Sequence, residues 1–402
     1  MMCRQYCQLW GWMGFELMVY LNVVLGICAL IYMAFIVFFY SGLRKVQINC
    51  EFIEEYPQLA VVVAARNEEA NIRQTVESLA AQNYPVERYE IIVVNDRSSD
   101  KTGVILEKLQ DVVPNLKVIT ITECPPDVSP KKHALIQAVK TIKYPFILTT
   151  DADCIHSPDW LCSYAGLIEK NLGVATGVTV FHLNEHRSRF EKVWQNMQSI
   201  EYMSHQIVLA GAIGHNVGFS ANGNNMMFNR QLYDDYEHDP LQKKVISGDD
   251  FFIIQTAEKK HYCLKFNLHP AGTVHTLPQR SLRDLINQRA RWSSKIGKAS
   301  APVLLFSTNT FFYYLGLTLY PFILLFFPRF WLSFVALFGI KVLCDTFYTI
   351  YGYKKFGQKL NPLYYILTEL VHAPFIVIVA VIGSLFGFTW KGGRYTTESK
   401  KS

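Results

Sequence analysis

Phe146-Ile-Leu-Thr-Thr-Asp-Ala-Asp-Cys154 is the stretch on which the reading of the whole chain turns. Phe146 to Leu148 is a short apolar run of strand type, and it leads into two carboxylates, Asp151 and Asp153, separated by one small residue. Ligands of open α/β sheets bind at the carboxyl ends of strands. Like charges this close repel, and a hard divalent cation shared with a phosphate-bearing ligand relieves that repulsion. Taken alone, an Asp-x-Asp is more often an ordinary acidic loop, so the flanking sequence has to carry the argument.

Upstream, Leu59-Ala-Val-Val-Val-Ala64 and Glu90-Ile-Ile-Val-Val94 are continuous apolar runs typical of buried parallel strands. The first passes through Ala65, Arg66, Asn67, Glu68 and Glu69 into a helix reaching about Ala81, with Asn67 at the N-cap and both glutamates at the positive helix end. The second ends in Asn95, Asp96 and Arg97, so polar side chains at two successive strand ends form one wall of a cleft. A helix from Asp100 to Gln110 and a strand from Leu116 to Thr120 continue the alternation. Pro130-Lys131-Lys132-His133 precedes a helix over Ala134 to Lys140. Its lysines, Lys132 in particular, are either cations for a diphosphate or part of a solvated basic turn.

Downstream, Pro158 to Lys170 reads as helix, Val174 to Val180 as strand and Arg187 to Val208 as a longer helix. Gly211 to Asn225 is rich in glycine and asparagine, which lets backbone approach a ligand and offers amides, Asn224 among them, to sugar hydroxyls. A flexible surface loop is the other reading, and the apolar Met226-Met-Phe228 directly after it favours order. Ser247-Gly-Asp-Asp250 stands before a helical run, Phe251 to Lys259; a cap accounts for one carboxylate of the pair but not for both. Gln288-Arg-Ala-Arg-Trp292 lies on a helix-like segment, Leu282 to Lys298, where Gln288, Arg291 and Trp292 share one face. Arginine offers a planar fork to phosphate and tryptophan a stacking surface to a sugar ring. The same segment also reads as an amphipathic interfacial helix with a Trp anchor.

Half of the 402 residues are apolar, too many for an ordinary soluble protein. Leu17 to Tyr40 is an apolar run followed at once by Arg44 and Lys45, which predicts a transmembrane helix over residues 1–45. Thr310 to Phe327 and Phe330 to Tyr351 predict two more spans joined by a tight turn at Pro328-Arg329, and Leu363 to Trp390 a further apolar segment, interrupted near His372-Ala-Pro374. A water-facing domain over residues 57–280, an interfacial helix over 281–300, a membrane region over 301–392 and a polar tail over 393–402 complete the organisation. The basic residues beside the spans predict a cytoplasmic domain, with the inner membrane of a bacterium as the expected location. Simple crossings would leave Lys391, Arg394, Lys400 and Lys401 outside, so Leu363 to Pro374 is expected to lie in the interface or re-enter. Lys341 with Asp345, and Glu369 with His372, sit at helical spacing inside apolar runs and read either as a structural ion pair or as a polar path for an acceptor.

Other chemistries have little support. The nine cysteines are scattered, with no Cys-x-x-Cys and no His at zinc spacing. No Gly-x-Gly-x-x-Gly or Walker loop occurs, and a net charge of +6 spread over membrane flanks argues for phosphate and anionic lipid rather than nucleic acid. His275 is a further candidate metal ligand, although a lone histidine of this kind is more often structural.

Together, Ala-Arg-Asn-Glu-Glu (65–69), Asn-Asp (95–96), Asp-Ala-Asp (151–153), Gly-Asp-Asp (248–250) and Gln-x-x-Arg-Trp (288–292) resemble the ordered motifs of membrane-integrated family 2 glycosyltransferases, a group that includes synthases of cellulose, hyaluronan and poly-N-acetylglucosamine. The resemblance implies an α/β domain of GT-A type, a mostly parallel mixed sheet of Rossmann-like character flanked by transmembrane helices. It implies a nucleotide-sugar donor, a UDP-sugar by expectation, a lipid-linked or glycan acceptor and a divalent metal, Mg2+ or Mn2+. Ala65, Asn67 and Glu69 would lie by the nucleotide, Asp96 near the base, Asp151 by the donor sugar or ribose and Asp153 on the metal. Asp250 would be the general base, Arg291 with Gln288 would hold the diphosphate, and Trp292 would floor the acceptor site. The family usually carries Glu-Asp where this chain has Asp249-Asp250, so the two could exchange roles; distance to the helix end at Tyr262 favours Asp250. Nucleotidyl transfer, and a sugar-nucleotide-binding or transport subunit without catalysis, are the rival readings.

Overall fold

The computed structural model describes residues 2–48, 55–125, 128–183, 188–237, 248–390 and 393–395. Ser247 and the tail lysines Lys391, Lys400 and Lys401 lie outside them. The chain opens with α1 (Met2–Lys45). It then alternates through β1 (Leu59–Ala65), α2 (Ile72–Ala80), β2 (Tyr89–Asp96), α3 (Thr102–Gln110), β3 (Leu116–Ile121), α4 (Pro130–Thr141) and β4 (Phe146–Asp151). Next come β5 (Ile155–His156), α5 (Trp160–Ala165), β6 (Leu172–Gly177), β7 (Thr179–Phe181), α6 (Arg189–Ile213) and β8 (Met226–Asn229). The domain closes with α7 (Arg230–Glu237), α8 (Asp249–Lys259), β9 (Cys263–Asn267), β10 (Val274–Thr276) and α9 (Leu282–Ser293). Finally α10 (Ala301–Leu324), α11 (Trp331–Lys355) and α12 (Pro362–Val381) lead to a hairpin, β11 (Phe388–Trp390) and β12 (Gly393–Tyr395).

Seven strands form the main sheet in the order β3-β2-β1-β4-β8-β6-β9, and only β8 runs antiparallel to its neighbours. Successive side chains on a strand point to opposite faces, and β1 shows the consequence. Leu59, Val61, Val63 and Ala65 enter one core with Ile72, Val76 and Trp160, while Ala60 and Val62 enter a second core shared with α6 and the long apolar helices. Both faces of the sheet are thus covered, which is why these strands read as continuous apolar runs. The register sets Ala64 beside Asp151 and Ala65 beside Asn95, so the carboxyl ends of β1, β2 and β4 share one edge.

Two local expectations give way. Asn67 is not an N-cap: α2 starts later, after Asn71, and Asn67 takes a left-handed backbone, φ 54°. Its Oδ1 accepts from the Ser99 N–H at 2.8 Å, and Glu69 accepts from the Lys101 N–H at 3.0 Å, so these side chains clasp two loops together. The basic turn is instead the first turn of α4, opened by Ser129, whose hydroxyl accepts from the Lys132 N–H, and by a proline at its start.

Among the described residues, three helices are long and apolar enough to cross a membrane: Gly14–Lys45, Pro328–Lys355 and Pro362–Phe386. The segment expected over Thr310 to Phe327 lies on α10, which is not among them, because its inward face carries Asn309, Tyr313, Tyr314 and Tyr320. A short 3-10 turn, Pro328–Phe330, joins α10 to α11 as expected. Three helix ends meet the domain. Lys45, closing α1, has its Nζ 3.1 Å from His215, and Phe356, just past α11, stacks on Phe266 of β9 at 5.4 Å. At the far end of α12 the Ser293 hydroxyl donates to the Val379 carbonyl at 3.1 Å, and β11 lies against α9. α12 therefore starts and finishes on the domain side, and it runs as one helix through Pro374.

Candidate active site

The site is built where β4 stops. Asp151, its last residue, pairs with the Lys131 ammonium from the first turn of α4. Asp153 follows after the buried Ala152, and its carboxyl is pushed up to about 6 by burial, by Asp151 and by Glu68. Burial is the largest cause of that rise, and the Lys131 ammonium nearby offsets it only in part.

A second acidic pair approaches from the helix side. Gly248 has φ 108°, and a methyl placed there would fall 2.6 Å from Lys295 Cδ, so only glycine permits this start to α8. Asp249 and Asp250 open the helix, where its dipole favours anions. They face different ways. Asp249 accepts from the Tyr236 hydroxyl at 2.7 Å, and burial raises its carboxyl against the pull of Lys132 and Tyr236. Asp250 lies 3.8 Å from the Lys295 ammonium, itself 7% exposed, and a methyl on Gly223 would come within 2.9 Å of its Oδ2.

The third component is α9. Arg289 is 3% exposed and grips Glu201 of α6 through Nε at 2.9 Å to Oε1 and 3.0 Å to Oε2, with its Nη2 closing the fork. That charge holds the Glu201 carboxyl well below the usual carboxylate range, despite its burial. Arg289 Nη1 also donates to the Gln288 side-chain Oε1, and the guanidinium lies over the Trp292 ring at 4.1 Å. Trp292 in turn meets Tyr202, which stacks on Phe181 at 5.1 Å. Arg291 is thereby turned toward the carboxylates, in the fields of Asp250 and Asp151.

A cavity of about 490 Å³ joins these parts, lined by Asp151, Asp153, Asp249, Asp250, Asn224, Gln288, Arg291 and Trp292. Residues far apart in sequence thus share one space. Six others do not line it. Ala65 faces the opposite core, and the neighbour Ala64 takes the cavity wall, because strand side chains alternate. Asn67 and Glu69 are engaged in the loop clasp, and Asp96, 3% exposed, is held by Arg97 at 2.7 and 3.1 Å. Lys132 is rotated one helical step away from Asp151, over Tyr236 and toward Asp249, leaving Lys131 as the lysine of this turn that reaches the wall. His275 lies on β10, away from the cavity lining. Lys131 is one of the two candidate cations of its turn, whereas the sequence reading gives Gly223, Arg289 and Lys295 no role of their own. Gly223 falls within the Gly-Asn-rich stretch, and Lys295 within the helix-like segment Leu282 to Lys298, one helical turn beyond Arg291.

The same cavity continues between the long apolar helices, where Tyr32, Tyr314, Asp345, Glu369 and His372 line it. The Lys341 ammonium lies 3.0 Å from Asp345 Oδ2 and bonds Glu369. Asp345, Glu369 and His372 are close enough together to hold an ion, but Lys341 already supplies their positive charge.

Residues 57–294 match the family model described as "Glycosyltransferase like family 2". Poly-beta-1,6-N-acetyl-D-glucosamine synthase of Staphylococcus aureus is 26% identical over 265 residues, 63% of this chain and 57% of that protein. Beta-monoglucosyldiacylglycerol synthase of a Synechocystis strain is 45% identical over 64 residues, 16% of this chain and 13% of that protein. The chain thus spans little more than half the length of these relatives at most. The solved mannosyltransferase PcManGT of Pyrobaculum calidifontis, in complex with GDP-Man and Mn2+, superposes with a TM-score of 0.60 at 16% identity, over 91% of this chain and 99% of that one. This likeness shows a shared fold, of GT-A type. With the family model covering more than half of the chain and the motif residues gathered at one cavity, the protein belongs to glycosyltransferase family 2.

Proposed function

We propose that the protein transfers a sugar, with inversion, from a nucleotide-sugar donor to a lipid-linked or polysaccharide acceptor at the cytoplasmic face of a membrane. The observation that carries this is the single cavity shared by Asp151, Asp153, Asp250 and Arg291 with residues of the apolar helices. A UDP-sugar is the donor proposed. The names of the relatives, one a polysaccharide synthase and one a glycolipid synthase, support both kinds of acceptor. Arg44, Lys45, Lys354 and Lys355, at helix ends on the domain side, support the cytoplasmic face.

The acidic set at the end of β4 fits a divalent cation, since hard oxygen ligands with mutual repulsion are what such an ion relieves. Asp153 and Asp151 would hold Mg2+ or Mn2+, which would supply positive charge against that of the leaving diphosphate. Lys131 and Arg291 add cationic groups to the same wall. Asp250 accepts the proton of the acceptor hydroxyl as its oxygen attacks the anomeric carbon and the bond to the diphosphate breaks. Lys295 keeps that carboxylate next to a positive charge, and Asp249, tied to Tyr236, braces the turn. Trp292 presents its ring to the acceptor sugar.

Asp250→Asn is the test. Loss of the base is expected to lower transfer by about 100- to 10,000-fold, with a smaller change in donor KM, read as nucleoside diphosphate release and as product mass. Transfer at the unmodified rate would overturn the assignment.

A further inference from the structure

We infer that Lys295 is a positioning residue for the proton acceptor: with Gly223 it divides the two oxygens of Asp250, tethering Oδ1 and leaving Oδ2 to take the proton. This rests on the transferase reading above and names the reacting atom and its support. Lys295 is carried by a segment with little freedom. It follows α9, which Arg289 fastens to Glu201 of α6 and Ser293 to the Val379 carbonyl of α12, and a 3-10 turn, Ile296–Lys298, begins just after it. From there its buried side chain crosses to the opening of α8 and packs so closely over Gly248 that a methyl there would fall 2.6 Å from Cε. A stem confined in this way holds the ammonium 3.8 Å from Asp250 Oδ1. Lys131 and Arg291 lie in the field of Asp250 as well, but each is shared with Asp151 on the donor side, whereas Lys295 serves the 249–250 pair.

The two oxygens of Asp250 then differ. Oδ1 accepts from the Phe251 N–H at 2.9 Å and has the Lys295 ammonium beside it. At 3.8 Å that ammonium is within ion-pair reach but beyond hydrogen-bond length, so it holds the carboxylate by charge without taking up a lone pair. Oδ2 lies toward Gly223, where a methyl would come within 2.9 Å of it. The glycine hydrogen leaves that approach open, and Gly223 and Asp250 both line the cavity that Asp151 and Arg291 share. In the transfer, the acceptor oxygen bonds to the anomeric carbon, its proton passes to Asp250 Oδ2 and the nucleoside diphosphate leaves. A carboxylate anchored through one oxygen keeps the other at a fixed place for that proton, which is what an oriented general base requires.

The test uses the purified full-length chain in nanodiscs of bacterial lipid extract with Mn2+, supplied in turn with UDP-glucose, UDP-N-acetylglucosamine and GDP-mannose, and reads nucleoside diphosphate release. Lys295→Met, which keeps the stem and removes the charge, is expected to lower kcat by about 10- to 100-fold while donor KM moves less than about threefold. Lys295→Ala is expected to lose at least as much, and to recover several-fold with propylammonium chloride, which replaces the missing stem and charge, but not with sodium chloride at equal ionic strength. Gly223→Ala, whose methyl crowds Oδ2, is expected to lower kcat in the same range, with no recovery by propylammonium. An unmodified kcat in Lys295→Met, a loss carried by donor KM, or a Lys295→Ala protein that propylammonium does not revive overturns the inference while leaving the transferase intact. Should neither lysine variant show a folding transition on heating, Gly223→Ala decides, and an unmodified kcat there overturns the inference. Failure of every donor to release nucleoside diphosphate with the unmodified chain overturns the transferase reading itself.

Discussion

Lys131 and Lys132 are adjacent in the chain and meet different partners. A helix turns about 100° per residue, so the side chain that follows Lys131 points to Tyr236 and Asp249 while Lys131 itself reaches Asp151. Lys131→Gln is expected to raise donor KM about tenfold or more, the loss of one charge-assisted contact, and Lys132→Gln to raise it less; steady-state kinetics with both variants decides. Gly223 and Gly248 belong to the same scale. Each occupies a place where a methyl would strike the group it serves, Asp250 in one case and Lys295 in the other. A composition rich in glycine hints at close approach, but which glycine faces which carboxylate depends on contacts between segments remote in sequence.

Elements are joined by a few buried polar groups. Arg289 and Glu201 fasten α9 to α6 with both side chains at most 5% exposed. Removing one partner leaves a buried charge alone, so Glu201→Ala is expected to cost about 3–5 kcal/mol and to lower transfer by displacing Arg291 and Trp292; thermal denaturation and kinetics on one preparation check both. His156 ties β4, β5 and α2 in a similar way, its ring nitrogens 3.1 Å from the Ser78 hydroxyl and 2.9 Å from that of Thr150. Burial first, and His275 second, depress its pKa to about 3. The sign follows: above about pH 6.5 neither state carries the proton, and below it the unfolded chain binds one that the folded chain refuses until near pH 3. Stability is therefore lost as pH falls through that window, by on the order of 5 kcal/mol when complete. The fall in Tm between pH 6.5 and 4.5 is expected to be shallower in His156→Asn.

At the scale of the whole molecule, the domain and the apolar helices form one continuous interior, with the cavity crossing from one to the other. α12 starts and finishes by the domain although it is long and apolar enough to span. A reporter fused to the C-terminus is therefore expected on the same side of the membrane as one inserted at Gln358, and reporters on opposite sides would contradict that path. The strand runs, their order of motifs and the three helices that qualify as spans follow from local pattern: apolar periodicity, charge placement and turn residues act over a few positions and are visible in one dimension. Asp151, Asp153, Asp250, Arg291 and Trp292 are likewise legible, because carboxylate pairs and an Arg-Trp step at helical spacing carry their chemistry with them. What the tertiary structure alone decided is which neighbour faces the cavity, Ala64 rather than Ala65 and Lys131 rather than Lys132, that Asn67 and Glu69 clasp loops, and that a buried arginine between the recognised motif positions holds them in place. Those outcomes depend on the phase of each strand and helix against partners far away in the chain, and a phase difference of one residue changes the face without changing the pattern.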